Sequence, residues 1–162
     1  MARRVHSGPR EMLARDVMSG PPETCLPHTD LAAVTRLMWD RDCGAIPVVD
    51  AAGHVVGIVT DRDICIATAT RRLLPEHIAA AQVMSRDVRT CLPGDTAAQA
   101  LAAMKAAKVR RLPVVDATGH LHGMLSITDV IRAVGRDGGP APEAVVEALA
   151  AIGAPRALAV SG

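Results

Sequence analysis

Ile46-Pro47-Val48-Val49-Asp50-Ala51-Ala52-Gly53-His54 returns 66 residues later as Leu112-Pro113-Val114-Val115-Asp116-Ala117-Thr118-Gly119-His120. The same offset carries Val17-Met18-Ser19 onto Val83-Met84-Ser85 and Thr24-Cys25-Leu26-Pro27 onto Thr90-Cys91-Leu92-Pro93. It also takes Gly57 to Gly123 and Asp63 to Asp129, with no gap. Self-similarity at one fixed spacing marks a duplicated supersecondary unit.

Working outward from the quoted stretch, Ile46 to Val49 is a short β-branched run fit for a buried strand, and Asp50-Ala51-Ala52-Gly53 carries turn residues. Val55-Val56-Gly57-Ile58-Val59 is then the returning strand of a hairpin, and a helix begins after Thr60. Upstream, Thr24-Cys25-Leu26 is a short extended segment ended by Pro27, which has no N–H to donate. Asp30 or Thr29 caps a helix. Leu31, Val34, Leu37, Met38 and Arg41 follow at helical spacing, matched by Ala97, Ala100, Leu101 and Met104 in the second unit. Each unit therefore reads strand, helix, strand, strand, helix around a three-stranded sheet. One unit of about 60 residues is marginal alone, so the expected fold is α/β, with two tandem repeats packed sheet to sheet about a pseudo-two-fold axis. The expected organisation is a disordered tail over 1–11, repeats over 12–72 and 73–134, and a linker with a C-terminal helix over 135–162. Gly135 to Pro140 reads as a flexible break. In the helix beyond it, Val146, Leu149 and Ile152 form one apolar face, whose partner is the chain itself or a second subunit.

Composition narrows the function. The 162 residues are 49% hydrophobic and 22% charged, with net charge +1, which supplies no basic footprint for nucleic acid. Trp39 is the single aromatic among Phe, Tyr and Trp, so there is no stacking platform for bases along a strand. Trp39 is expected partly buried at a repeat or subunit interface. Cys25, Cys43, Cys65 and Cys91 lack C-x-x-C spacing and read as small buried hydrophobes in a reducing cytoplasm, with zinc disfavoured. His54 and His120 read as exposed turn residues. The N-terminus lacks the apolar stretch of a secretory signal, and no run approaches a membrane span; the expected location is cytoplasmic. No Ser or Cys is paired by motif with His and Asp, so an enzyme is not expected.

With both elements in place, hydrophobic-Pro-Val-Val-Asp-x-x-Gly followed by Gly57-Ile58-Val59-Thr60-Asp61-Arg62-Asp63 or Gly123-Met124-Leu125-Ser126-Ile127-Thr128-Asp129, the chain resembles the CBS family over residues 12 to 134. Its tail, Val145 to Ile152 with Ala157-Leu158-Ala159, resembles actinobacterial hypoxic-response-type CBS proteins. The resemblance implies a disc-like pair of repeats (a Bateman module) with two clefts, a regulatory role, and AMP, ADP, ATP or S-adenosylmethionine as ligand. It also implies a homodimer.

The candidate site follows. A helix N-terminus after Thr60 offers free amides and a positive dipole end to phosphate, Thr60 adds a hydroxyl, and Asp63 can accept from ribose hydroxyls. Ser126 and Asp129 repeat this. The same spacing is also a capping box needing no ligand. The family places phosphate and ribose at these four positions, and adenine beside Thr24, Cys25, Ala45 and Ile46, or Thr90, Cys91, Arg111 and Leu112. The units differ in charge: Gly44-Ala45 becomes Arg110-Arg111, Glu23 becomes Arg89, and Asp42 becomes Lys108. Arg110 and Arg111 are thus candidates for phosphate contacts, including to a ligand on the other repeat, against a solvated basic edge. Arg62 pairs with a phosphate or with Asp61. Two other functions stay open: a ligand-free assembly or protein-interaction module, and an S-adenosylmethionine sensor.

Overall fold

The computed structural model describes residues 10–155. Strand β1, Ala45–Val49, is buried at every position and pairs antiparallel with β2, Val55–Thr60. Ala45 stands opposite Thr60, and Val48 opposite Gly57. The second hairpin, β3 (Arg111–Val115) with β4 (Leu121–Ser126), keeps the same register, Arg111 opposite Ser126 and Val114 opposite Gly123. Asp50 Oδ1 accepts from the backbone N–H of Ala52 and of His54 (both 2.9 Å), while Gly53 takes φ +87°, a left-handed turn position that favours glycine. The carboxyls of Asp50 and Asp116 are held below the usual carboxylate range by these turns, Asp50 mainly through the His54 backbone N–H and Asp116 mainly through the Thr118 hydroxyl and His122.

The expected third strand is reduced to one parallel bridge in each unit, Cys25 to Val48 and Cys91 to Val114. The chain leaves the ladder because Leu26 N–H turns to Thr29 Oγ1 at 3.0 Å and Pro27 has no N–H. Helix α1 is a single turn, Ala14–Val17. Asp30 caps α2 (Leu31–Asp40) through Ala33 N–H at 2.8 Å. Leu31, Val34 and Met38 face the core as expected, but Arg41 is the exposed C-cap and its guanidinium pairs with Glu23. Trp39 is 85% exposed, so it is not buried between the repeats. It follows Met38 by one residue, about 100° round the helix and off the buried stripe.

Order along the chain conceals an exchange. Ser19 pairs with Met124 of the second hairpin, and Ser85 pairs with Ile58 of the first. Ala14 lies in the core of Leu112, Leu125 and Val130. Ile78, Ala80 and Met84, from the connection between repeats, lie in the core of Leu31, Val34 and Val59. The paired glycines follow from this. A Cβ on Gly123 would stand 2.6 Å from Met18 Sδ and 2.7 Å from the Ser19 carbonyl oxygen, and one on Gly57 would stand 2.4 Å from Met84 Sδ.

The two hairpins meet turn to turn. Val55 N–H donates to the Gly119 carbonyl at 3.2 Å and Leu121 N–H to the Gly53 carbonyl at 3.4 Å, a reciprocal pair as a pseudo-two-fold requires. There the rings of His54 and His120 lie 4.3 Å apart between centroids. His120 is exposed in its turn as expected and His54 is half-buried, and together they also make a contact between the repeats.

After helices α3 (Asp61–Arg71), α4 (Ala97–Ala107) and α5 (Ile127–Ala133), the chain closes with α6, Pro142–Gly153. Helix α6 packs on α4, burying Val145 and Ala148 with Ile152 alongside. Its inward face is therefore not the Val146–Leu149 face: Val146 is 65% exposed, and Leu149 is also exposed. The true stripe is small because the Ala-rich face of α4, with Ala100 buried, admits close approach. Residues 135–140 are tied down, not a loose break: Met12 N–H donates to the Gly138 carbonyl at 2.9 Å and Pro140 is buried. Of the tail expected to be disordered over 1–11, residues 1–9 lie outside the described residues. No described helix is long and apolar enough to cross a membrane.

Candidate functional site

Thr60 ends β2 and caps α3, and Ser126 ends β4 and caps α5. The caps are reciprocal. Thr60 Oγ1 accepts from Asp63 N–H at 3.3 Å, while Asp63 Oδ2 accepts from Thr60 N–H at 2.9 Å and from its hydroxyl at 2.7 Å. In the second repeat the corresponding distances are 3.2, 2.8 and 2.6 Å. Both capping boxes are thus formed. Each uses Oδ2 only. Among the described residues Asp63 Oδ1 accepts no hydrogen bond, and Asp129 Oδ1 has only Arg132 Nη1 at 3.9 Å. The cap therefore leaves one carboxylate oxygen on each Asp free to receive a ligand hydroxyl, and the two readings of this motif are compatible.

The register brings together only some of the expected wall residues. Ala45 is opposite Thr60 across the ladder, whereas Ile46 and Cys25 lie buried in the core with Leu31 and Val34, Cys25 bridged to Val48, and Thr24 is half-buried. In the second repeat Leu112 and Cys91 are buried, Thr90 is exposed, and Arg111 takes the place of Ala45. Burial pushes the Cys25 and Cys91 thiols up to about 11, so both are un-ionised wall residues near neutral pH. The expectation that all four cysteines are buried fails for the other two: Cys43 is half-buried, and Cys65 lies exposed on α3.

The two arginines part company. Arg110 is exposed, and its carbonyl accepts from Ile127 N–H at 2.8 Å; its side chain makes no ion pair among the described residues. Arg111 instead reaches the first repeat. A Cβ placed on Gly44 would stand 3.7 Å from Arg111 Nη1 and 2.8 Å from Asp61 Oδ2. Gly44 is thus the gap through which a guanidinium of repeat 2 and a carboxylate of repeat 1 approach each other. Asp61 is held there by Asp61 N–H donating to the Gly44 carbonyl at 3.2 Å and by its Oδ1 accepting from Arg62 N–H at 2.7 Å. It therefore meets the backbone of Arg62, not its guanidinium. Asp61 and Gly44 were not among the candidates read from sequence; the signal was there in the mismatch of Asp61 with Ile127 at the repeat offset. Beside Asp63, an open groove of about 230 Å³ runs along α3, lined by Ile66, Ala67, Thr70 and Gln82. Among the described residues, no three His, Cys, Asp or Glu side chains converge on a point that could hold a metal ion.

Comparison with known proteins adds three findings. The family model described as CBS domain matches twice, at residues 14–69 and 80–136. In sequence, the inosine-5'-monophosphate dehydrogenase of Mycobacterium bovis is 32% identical over 128 residues, 78% of this chain but only 23% of the enzyme. In structure, the CBS domain pair of MJ0100 in complex with 5'-methylthioadenosine and S-adenosyl-L-methionine is similar with TM-score 0.71 and 25% identity, over 78% of this chain and 98% of that one. Hypoxic Response Protein I with two coordinated zinc ions gives TM-score 0.70 and 27% identity over 76% of this chain and 100% of that one. CBSX2 in complex with AMP gives TM-score 0.66 and 25% identity over 75% and 95%.

Proposed function

The chain belongs to the CBS-domain family, and on that premise we propose that it is a regulatory adenine-nucleotide sensor, not an enzyme, acting in trans or through assembly with further copies. The observation that carries the reading is the Asp63 carboxylate. One oxygen closes the helix cap and the other is free; Thr60 is its cap partner, Ala45 stands opposite Thr60 across the ladder, and Arg111 reaches the neighbouring Gly44 from the other repeat. That set combines an apolar wall for a base, an acceptor for ribose and donors for phosphate. The complexes of MJ0100 and CBSX2 with adenosine-containing ligands support the same reading. Four free thiols suit a reducing compartment, and we place the protein in the cytoplasm.

The test is thermal unfolding with AMP, ADP, ATP and S-adenosylmethionine. A native-state ligand at 100 times its Kd stabilises by about 2.7 kcal/mol, which raises Tm by roughly 5–10 °C for a chain of this size. A nucleotide giving that saturable rise is the expected result. A rise with S-adenosylmethionine alone makes the chain a sensor of that compound, and no rise at millimolar concentration rejects the ligand reading.

A second reading, an assembly module, is favoured by Trp39. It lies exposed on α2 over a shallow surface shared with Thr35, Arg36 and Asp40. Arg36 and Asp40 carry opposite charges on the surface that Trp39 shares, as a self-complementary two-fold contact requires. Sedimentation velocity is expected to show a homodimer that Trp39→Ser converts to monomer. Wild-type monomer at high concentration rejects it.

A further inference from the structure

We infer that Asp61 makes the first repeat's cleft selective for adenosine ligands of low negative charge. The inference rests on the ligand reading above and specifies the ligand that cleft takes. Three observations carry it. The structure brings the Arg111 guanidinium of repeat 2 to the Gly44 gap, and Asp61 Oδ2 faces the same point. Gly44 leaves room for this, because a Cβ there would stand 2.8 Å from Asp61 Oδ2 and push the carboxylate aside. The arrangement is also one-sided: at the repeat offset Arg111 corresponds to Ala45 and Asp61 to Ile127, so no reciprocal pair guards the second cleft. Arg62, the other cation nearby, is exposed on α3, about 100° round the helix from Asp61.

A guanidinium facing a carboxylate has its field largely cancelled for a third charge. One phosphate gains from Arg111 and loses little to Asp61, but each further phosphate brings negative charge towards that carboxylate. A neutral 5' substituent is indifferent to both. The pair is not in direct contact, so it is loose enough for a phosphate to enter and compete for Arg111.

The experiment is calorimetric titration of the full chain with adenosine, AMP and ATP. For Asp61→Asn, which keeps the Oδ1 acceptor for Arg62 N–H, the ATP affinity of the first cleft is expected to rise about tenfold relative to adenosine. The second cleft, with Ile127, serves as internal control and is expected to hold its ATP affinity. Arg111→Gln is expected to lower the AMP affinity of the first cleft relative to its adenosine affinity, so the proposal does not depend on one variant. Equal ATP-to-adenosine ratios in wild type and both variants overturn the charge selection while leaving adenosine binding intact. If none of the three compounds binds the wild-type protein, the ligand reading itself falls, and this inference with it.

Discussion

Gly123→Ala is expected to destabilise the protein by about 2–3 kcal/mol, the upper part of the roughly 1–3 kcal/mol range for overpacking a well-packed interior, and to lower Tm by roughly 5–10 °C. The new Cβ would meet Met18 Sδ and the Ser19 carbonyl oxygen. A methionine side chain can swing aside, but Ser19 cannot, because Ser19 N–H is bonded to the Met124 carbonyl at 2.9 Å. Gly57→Ala provides the comparison. The three nearest atoms there all belong to the Met84 side chain, so Met84→Ala is expected to recover much of the loss, whereas Met18→Ala recovers little in the Gly123 variant. A double-mutant cycle on each pair, read by denaturant unfolding, measures the difference. Equal and full rescue at both sites would mean that the 12–19 segment is not held against β4 as described.

The second large effect concerns Asp63. Asparagine keeps one oxygen, which can accept from Thr60 N–H and preserve the cap, but it replaces the free oxygen with an amide. With ribose hydroxyls as the ligand groups, Asp63→Asn is expected to cost tenfold or more in nucleotide affinity, the consequence of an unpaired polar contact worth about 1–3 kcal/mol. Tm of the free protein is expected to change little. Asp63→Ala removes both roles, adding about 1 kcal/mol of cap loss. Parallel titration and melting of the two variants separates them: unchanged nucleotide affinity in Asp63→Asn would reduce the motif to a cap.

What was legible in the sequence was local. The hairpin showed in Ile46 to His54 and its copy because β-branched runs and an Asp-x-x-Gly turn fold within ten residues of one another. Thr60-x-x-Asp63 was readable as a cap for the same reason, and Asp30 as the cap of α2. The exchange of Met18 and Met84 was not legible: Met18 meets Gly123 across more than a hundred residues, and no local pattern encodes that pairing. Nor was the inward face of α6, because in an Ala-rich helix small residues pack as well as large ones, and the larger side chains of Val146 and Leu149 drew the assignment to the wrong face. Trp39 falls off the Leu31–Val34–Met38 stripe and so is not buried between the repeats, which leaves the subunit interface as the remaining half of that expectation. At the site, the residue types and their grouping by repeat were readable, while the reach of Arg111 over Gly44 needed the relative placement of the two repeats.

The exchanged segments also set an order of events during synthesis. The first hairpin and its helices find their missing piece, Ile78 to Ser85, as soon as the chain beyond residue 85 leaves the ribosome. Residues 12–19 are made first yet have no seat until β4 exists, so they wait through the production of about a hundred residues with Ala14 and Met18 uncovered. A second nascent chain nearby offers an identical seat over its own Gly123, and the waiting segment fits either one. Slow elongation late in the message is therefore expected to favour chains joined through traded 12–19 segments, and rapid completion each chain closing on itself.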